Sequence, residues 1–171
     1  CSMAKELTLR RCPGDEANRR LLDILRTGHM PPVEFPAHPL NREGRATGTL
    51  IGGNLAVLDA LVGTPFNLLL PDSILVIEDV SEPIYKVERM LWRLSLCGVL
   101  DSLRGFVVGQ FTDYRPSADW ADMYSMIARF TSRMSCPVAF GAPFGHIDGN
   151  LPFIEGAEVS LEVTPSSVKI M

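Results

Sequence analysis

The chain has 171 residues, 46% of them hydrophobic and 21% charged, which is the composition of one ordinary globular domain. A net charge of −4 and a pI near 5.4 leave no basic surface for neutralising phosphates, so nucleic acid is not an expected partner. No run approaches the roughly 18 apolar residues of a membrane span, so no membrane partner is expected either.

The first element, GDEANRRLLDILRTGHMPP, puts Leu21, Leu22, Ile24 and Leu25 on a helical stripe. Asp15 and Glu16 lie at the end where negative charge is favoured, and Gly28, Pro31 and Pro32 form the stop. PPVEFPAHPLN then carries four prolines in the nine residues from Pro31 to Pro39 and predicts an extended, irregular connector, with His29 and His38 as solvent-facing loop residues. Residues 1–43 thus read as an N-terminal helix and connector ahead of a domain over 44–171.

From Gly44 onward strands and helices alternate. GRATGTLIGG reads as a strand, and NLAVLDALVG as a short helix capped by Asn54 and stopped by Gly63. SILVIEDV is a continuous apolar run of buried-strand type ending in two acids. SEPIYKVERMLWRLSLCG is the clearest helix: Ser81 is the expected cap, Pro83 sits in the first turn, and Ile84, Val87, Met90, Leu91 and Leu94 make the buried stripe. RGFVVGQF is a second buried strand. SADWADMYSMIARFTSRM repeats the helical pattern through Trp120, Met123, Ile127, Phe130 and Met134, and CPVAFG returns to strand. AEVSLEV and SSVKI alternate with period two around Thr164-Pro165, the pattern of an antiparallel hairpin. The order implies a mixed α/β domain, mainly parallel with an antiparallel portion.

Ligands in such sheets gather beyond the carboxyl ends of the strands. Those ends carry Gly52-Gly53-Asn54, Glu78-Asp79, Gln110 to Asp113, and Gly145-His146. Each alone has a bland reading. Asn54 is foremost a helix cap, and the glycines before it form no phosphate loop, since neither GxxxxGK[ST] nor GxGxxG follows the strand. Glu82, Lys86, Glu88 and Arg89 read as a solvated face of spaced ion pairs. The four cysteines, Cys1, Cys12, Cys97 and Cys136, lie far apart without zinc-site spacing or scaffold density and suit a reducing cytoplasm. His146 with Glu78 and Asp79 lacks the HxxxH spacing of a metal centre, so neither metal nor cofactor is expected. A carboxylate and an imidazole on one rim instead suggest two members of a serine-type triad. The third is missing: Ser81 reads as a cap, Ser125 and Ser132 lie within a helix, and Ser166 and Ser167 in the hairpin, so no serine sits in a strand-turn-helix elbow.

GRATGTLIGGNLAVLDALVGTPF, ILVIEDVSEPIYKVERMLWRLSLCGVLDSLRGFVVGQFTD and PVAFGAPFGH, in that order, resemble the C-terminal domain of the LD-carboxypeptidases, the muramoyltetrapeptide carboxypeptidases. The resemblance implies a swivelling β/β/α fold and a cytoplasmic serine peptidase that removes the terminal D-alanine from murein tetrapeptides in cell-wall recycling. It implies a Ser-Glu-His triad with Glu78 and His146 as the two members matched here, and a serine on a separate N-terminal domain that nothing in this chain matches. Cys1-Ser2-Met3 reads as the remnant of the segment leaving that domain or as an added tail. Gly145 is expected to allow close backbone approach, Phe144 to shape the pocket wall, and Asn54 to be the best further candidate for substrate contact. Asp79, one residue along an extended segment, is expected to face away from the rim, toward the start of the helix after Ser81.

Three readings stay open at this level. A microcin-immunity-type peptidase would share the Glu and His, but Asn67 to Ser73 offer no aromatic clamp for a nucleotide base. A non-catalytic binding module would explain the unmatched serine. A murein peptide substrate is preferred, with a homodimer among the assemblies left open.

Overall fold

A computed structural model of the chain describes residues 16–120 and 122–171. Expectations for Asp15, Cys1, Cys12 and the Cys1-Ser2-Met3 segment fall outside the described residues. The elements in chain order are α1 (Glu16–Thr27), β1 (Val33–Pro36), β2 (Gly44–Asn54), α2 (Leu55–Leu61), β3 (Ser73–Val80) and α3 (Ile84–Leu96). They continue with a short 3-10 turn (Leu100–Ser102), β4 (Gly105–Thr112), α4 (Met123–Thr131), β5 (Val138–Phe140), β6 (Glu158–Val163) and β7 (Ser167–Ile170).

One sheet of seven strands runs β1-β7-β6-β2-β3-β4-β5. The pairs β2–β3, β3–β4 and β4–β5 are parallel, and β2–β6, β6–β7 and β1–β7 are antiparallel. This is the expected mixed α/β architecture. The parallel strands advance in one direction without reversal, so right-handed crossovers lay α2, α3 and α4 on a single face. Leu75, Ile77, Phe106 and Val108 meet Leu58, Leu91, Leu94, Ile127 and Phe130 there. The alternate residues Ile74, Val76 and Val107 point to the other face and need a different cover. They find it in Leu161, Val163, Val168 and Ile170 of the antiparallel end, together with Val33, Phe35 and Phe144. The sheet therefore curls over itself between a layer of strands and a layer of helices. Arg42 and Val138 exchange backbone hydrogen bonds of 2.9 and 3.1 Å, tying the chain just after β1 to the far edge strand β5.

Several sequence expectations change here. The proline-rich stretch is not wholly irregular, because Val33–Pro36 pairs with β7 as an edge strand, where a proline at the strand end costs no ladder bond. His38 is half-buried rather than solvent-facing, edge-on to Tyr124 at 5.5 Å and tilted on Phe140 at 5.8 Å. Ser81 does not cap α3. It takes a left-handed turn with φ of 60°, its N–H donates to the Thr112 carbonyl, and the cap position falls on Pro83 without a side-chain bond. The helix read from Ser117 begins only at Met123. Ser117 and Trp120 close a turn of their own, and Asp122 caps α4 through Ser125 N–H. The α1 stripe is not buried: Leu22 is 44% and Leu25 71% exposed, and Ala17 is the buried residue of that helix. No helix among the described residues is long and apolar enough to cross a membrane.

Candidate active site

Glu78 and His146 are 68 residues apart in sequence, and the fold brings them into contact: His146 Nδ1 lies 2.8 Å from Glu78 Oε2. Glu78 is near the end of β3, 8% exposed, at the acidic end of a strand whose middle, Ile74 to Ile77, is apolar. His146 stands on the loop after β5 with its side chain 52% exposed. With Nδ1 engaged, Nε2 makes no hydrogen bond among the described residues. A buried carboxylate on Nδ1 selects the Nδ1–H tautomer and leaves Nε2 as a lone-pair base facing outward chemistry.

The position of Glu78 follows from a bulge in its neighbour. Ile77 pairs with Val108 but Asp79 with Phe111, so β4 spends one extra residue opposite Glu78. The ladder opens there, and the backbone of Gly109 and Gln110 turns to the His146 loop instead. Gln110 N–H donates to the Phe144 carbonyl at 2.7 Å, and its side-chain amide donates to Ala142 O at 3.0 Å. A Cβ on Gly109 would lie 2.5 Å from Phe144 O, so the approach requires glycine. From the helical face the Tyr124 hydroxyl donates to Gly109 O at 2.8 Å. Burial, then the Asp122 charge, push that phenol up to about 12.

The loop holds itself by further bonds. Gly145 N–H donates to Asn150 Oδ1 at 3.0 Å, Ile147 N–H to Gly145 O at 3.0 Å, and Leu151 N–H to Pro143 O at 2.8 Å. Gly145 has φ of 130°, and a Cβ there would meet Gln110 O at 2.9 Å and Glu78 Oε2 at 3.2 Å. The glycine before the histidine is what lets the loop lie directly on the carboxylate. Further along, Glu155 accepts Gly52 N–H at 3.1 Å and fastens the loop's far end to β2; burial raises its carboxyl, partly offset by that bond.

Asp79 faces the opposite side of the sheet from Glu78, as alternation requires, but it reaches α2, not α3. Its carboxylate is 2% exposed and accepts from Asn54 Nδ2 at 2.7 Å, Ala56 N–H at 3.0 Å and Val80 N–H at 2.8 Å. The reason is register: Asn54 is paired with Glu78, so the start of α2 lies against the end of β3. Asn54 Oδ1 accepts Val57 N–H at 3.1 Å, so both ends of its amide serve the cap and Asp79. Phe144 does not form a pocket wall. It is 1% exposed, packed edge-on to Phe153 with ring centres 5.2 Å apart, and contributes its carbonyl to the loop anchor. Gln110, Gly109, Asn150 and Glu155 are site-supporting residues whose roles the sequence left unread. Only the rim position of Gln110 was visible. No group of three or more His, Cys, Asp or Glu among the described residues is placed to hold a metal ion.

Residues 47–161 match the LD-carboxypeptidase C-terminal domain. The chain is 34% identical over 131 residues to the murein tetrapeptide carboxypeptidase of Pseudomonas aeruginosa, covering 75% of this chain and 43% of that protein. The crystal structure of muramoyltetrapeptide carboxypeptidase from Oxalobacter formigenes superposes with a TM-score of 0.79 at 29% identity, over 94% of this chain and 55% of that one. The microcin C7 self-immunity protein shares the fold, with a TM-score of 0.68 at 22% identity over 81% of this chain and 40% of that one. The chain thus spans less than half the length of the curated relative it matches, and by family it belongs to the LD-carboxypeptidases as their C-terminal domain.

Proposed function

We propose that this chain supplies the base and its orienting carboxylate to a cytoplasmic serine-type LD-carboxypeptidase that releases the terminal D-alanine of murein tetrapeptides during peptidoglycan recycling. The observation that carries it is the 2.8 Å bond between His146 Nδ1 and Glu78 Oε2, with half of the imidazole open to the rim. The serine comes from a domain that precedes residues 44–171. His146 Nε2 takes the hydroxyl proton as the serine oxygen attacks the peptide carbonyl, then gives it to the departing amine of D-alanine. Glu78 is a positioning residue: it fixes the tautomer and stabilises the imidazolium as it forms.

The test is D-alanine release in a protein that joins this chain to its serine domain. Glu78→Gln keeps the shape and loses the charge, and should lower kcat by on the order of 10³–10⁴, as loss of a triad carboxylate does elsewhere. The 171-residue chain alone should release none. Turnover by that chain alone, insensitive to a serine-directed inhibitor, would overturn the assignment.

A further inference from the structure

The Gly109 carbonyl and the Gln110 N–H are the two ends of one peptide unit. No peptide bond among the described residues is cis, so this unit is planar and trans, and its two ends point opposite ways. Each end is taken by a different part of the fold: the Tyr124 hydroxyl donates to Gly109 O at 2.8 Å, and Gln110 N–H donates to Phe144 O at 2.7 Å. Phe144 is the second residue before His146. Beyond β5 the chain stays against β4 through Ala142 N–H, which donates to Val108 O at 3.1 Å, and then through the Gln110–Phe144 bond. Without the second of these, the backbone ladder would end at Ala142, well short of the imidazole.

This peptide unit needs an outside hold. In a regular parallel ladder the register would fix its tilt, but the pairing jumps from Ile77–Val108 to Asp79–Phe111, and the unit lies in the bulge between. Position 109 cannot be stiffened by a side chain either, since a Cβ would meet Phe144 O at 2.5 Å and Glu78 Cβ at 3.3 Å. The phenol can supply the hold because its own ring is seated: it packs edge-on to His38 of the connector, with ring centres 5.5 Å apart, and to Phe140 of β5 at 5.4 Å. A donor on the carbonyl also polarises the amide and strengthens the bond made by the N–H at its other end. We propose that Tyr124 is a positioning residue for His146: its hydroxyl sets the plane of the Gly109–Gln110 peptide, and that plane sets the Phe144 anchor from which the imidazole reaches Glu78. The proposal rests on the peptidase reading only for what the imidazole does once it is placed.

Tyr124→Phe keeps the ring and removes the donor, and both ends of the link can be read by NMR in the ¹⁵N-labelled chain. The first readout is hydrogen exchange of the Gln110 amide, taken relative to the Phe106 amide, which donates to Pro137 O at 3.0 Å on the same strand and serves as the internal reference. The second is the tautomer of the neutral His146 imidazole. Loss of one hydrogen bond should speed the Gln110 exchange about fivefold relative to Phe106 and lower the ratio of Nδ1–H to Nε2–H imidazole about threefold. Replacing Tyr124 by p-aminophenylalanine, which puts an N–H donor back on the same ring, should restore both. Phe130→Leu, on the same helix but packed against Trp92 with ring centres 5.1 Å apart, should lower the melting temperature and move neither readout. If Tyr124→Phe leaves the exchange ratio and the tautomer unchanged, or if Phe130→Leu shifts them equally, Tyr124 is a packing residue and the proposal is overturned. Because no turnover is measured, an inactive peptidase leaves this result readable, and an unmoved imidazole leaves the assignment of Glu78 and His146 standing.

Discussion

Gly145→Ala tests whether the dyad depends on how closely its loop can lie. The added Cβ would come within 2.9 Å of Gln110 O, a backbone atom of β4, and 3.2 Å of both Cβ and Oε2 of Glu78. The first neighbour cannot rotate away, since the Gln110 backbone is fixed by its own N–H bond to Phe144 O at 2.7 Å. Holding a non-glycine residue at φ of 130° adds strain of about 1–3 kcal/mol. Overpacking against fixed backbone adds about 1–3 kcal/mol more. A total of about 2–6 kcal/mol corresponds to a fall in melting temperature of about 4–24 °C for a chain of this size. Gly149→Ala is the control, because Gly149 has φ of 79° but nothing within 4 Å of its would-be Cβ, so only the left-handed penalty of about 1–2 kcal/mol applies. Thermal unfolding gives the stabilities, and the ¹⁵N resonances of His146 report whether Nδ1 still carries its bonded proton. Should Gly145→Ala melt like Gly149→Ala with the Nδ1 signal unchanged, the claim that this glycine sets the Glu78–His146 contact fails.

Asp79→Asn replaces a buried three-bond acceptor by an amide whose NH2 must face a donor, Asn54 Nδ2 or Ala56 N–H, and should cost about 1–3 kcal/mol in chemical denaturation. That is more than a charge at an exposed helix end would give, and a loss below about 0.5 kcal/mol would remove Asp79 from the α2 anchor. Tyr124→Phe bears on alkaline stability. The folded phenol titrates at about 12 against an ordinary 10.0, so its neutral form is favoured by folding, and the associated stability is intact below pH 10.0 and lost as pH rises toward 12. The variant should be less stable at pH 8 through loss of the bond to Gly109 O and should lack the part of the wild-type decline between pH 10 and 12 that belongs to this group; an unchanged decline would assign it elsewhere.

The large elements were legible because their determinants are local. SILVIEDV has an unbroken apolar run from Ile74 to Ile77 and becomes a strand buried on both faces, and Ile84, Val87, Leu91 and Leu94 fall on one side of α3 and are all fully buried. Placing Glu78 and His146 on one rim was also within reach, since both end strands of a parallel series. What stayed hidden depends on partners distant in sequence. VVGQF reads as an unbroken strand, and only the register against β3 shows that Gly109-Gln110 is a bulge. Alternation gave the face that Asp79 occupies but not its target, which follows from Asn54 lying beside Glu78 in the sheet. Ser81 carries a capping side chain, yet its N–H is drawn to Thr112 O, so the tertiary bond outweighed the local preference. Phe144 looked available at a strand end and is instead enclosed by the loop that folds back through Phe153.

These contacts bear on how the domain could serve catalysis. Glu78 belongs to a central strand, and the His146 loop is fastened at Ala142, Phe144, Gly145 and Leu151 by bonds that involve no atom of a substrate or a nucleophile. The orientation of the imidazole is thus set within this chain. That matters energetically, because ordering a free histidine at the moment of reaction would draw on binding energy, whereas here the fold has already met that cost. In the peptidase proposed above, a serine domain would need only to bring its hydroxyl to Nε2 along the exposed half of the ring. The same arrangement explains why the supporting residues are mostly backbone groups and glycines: they hold the loop against β4 at distances that side chains would prevent, and so keep Nδ1 within 2.8 Å of a carboxylate that is itself nearly excluded from solvent.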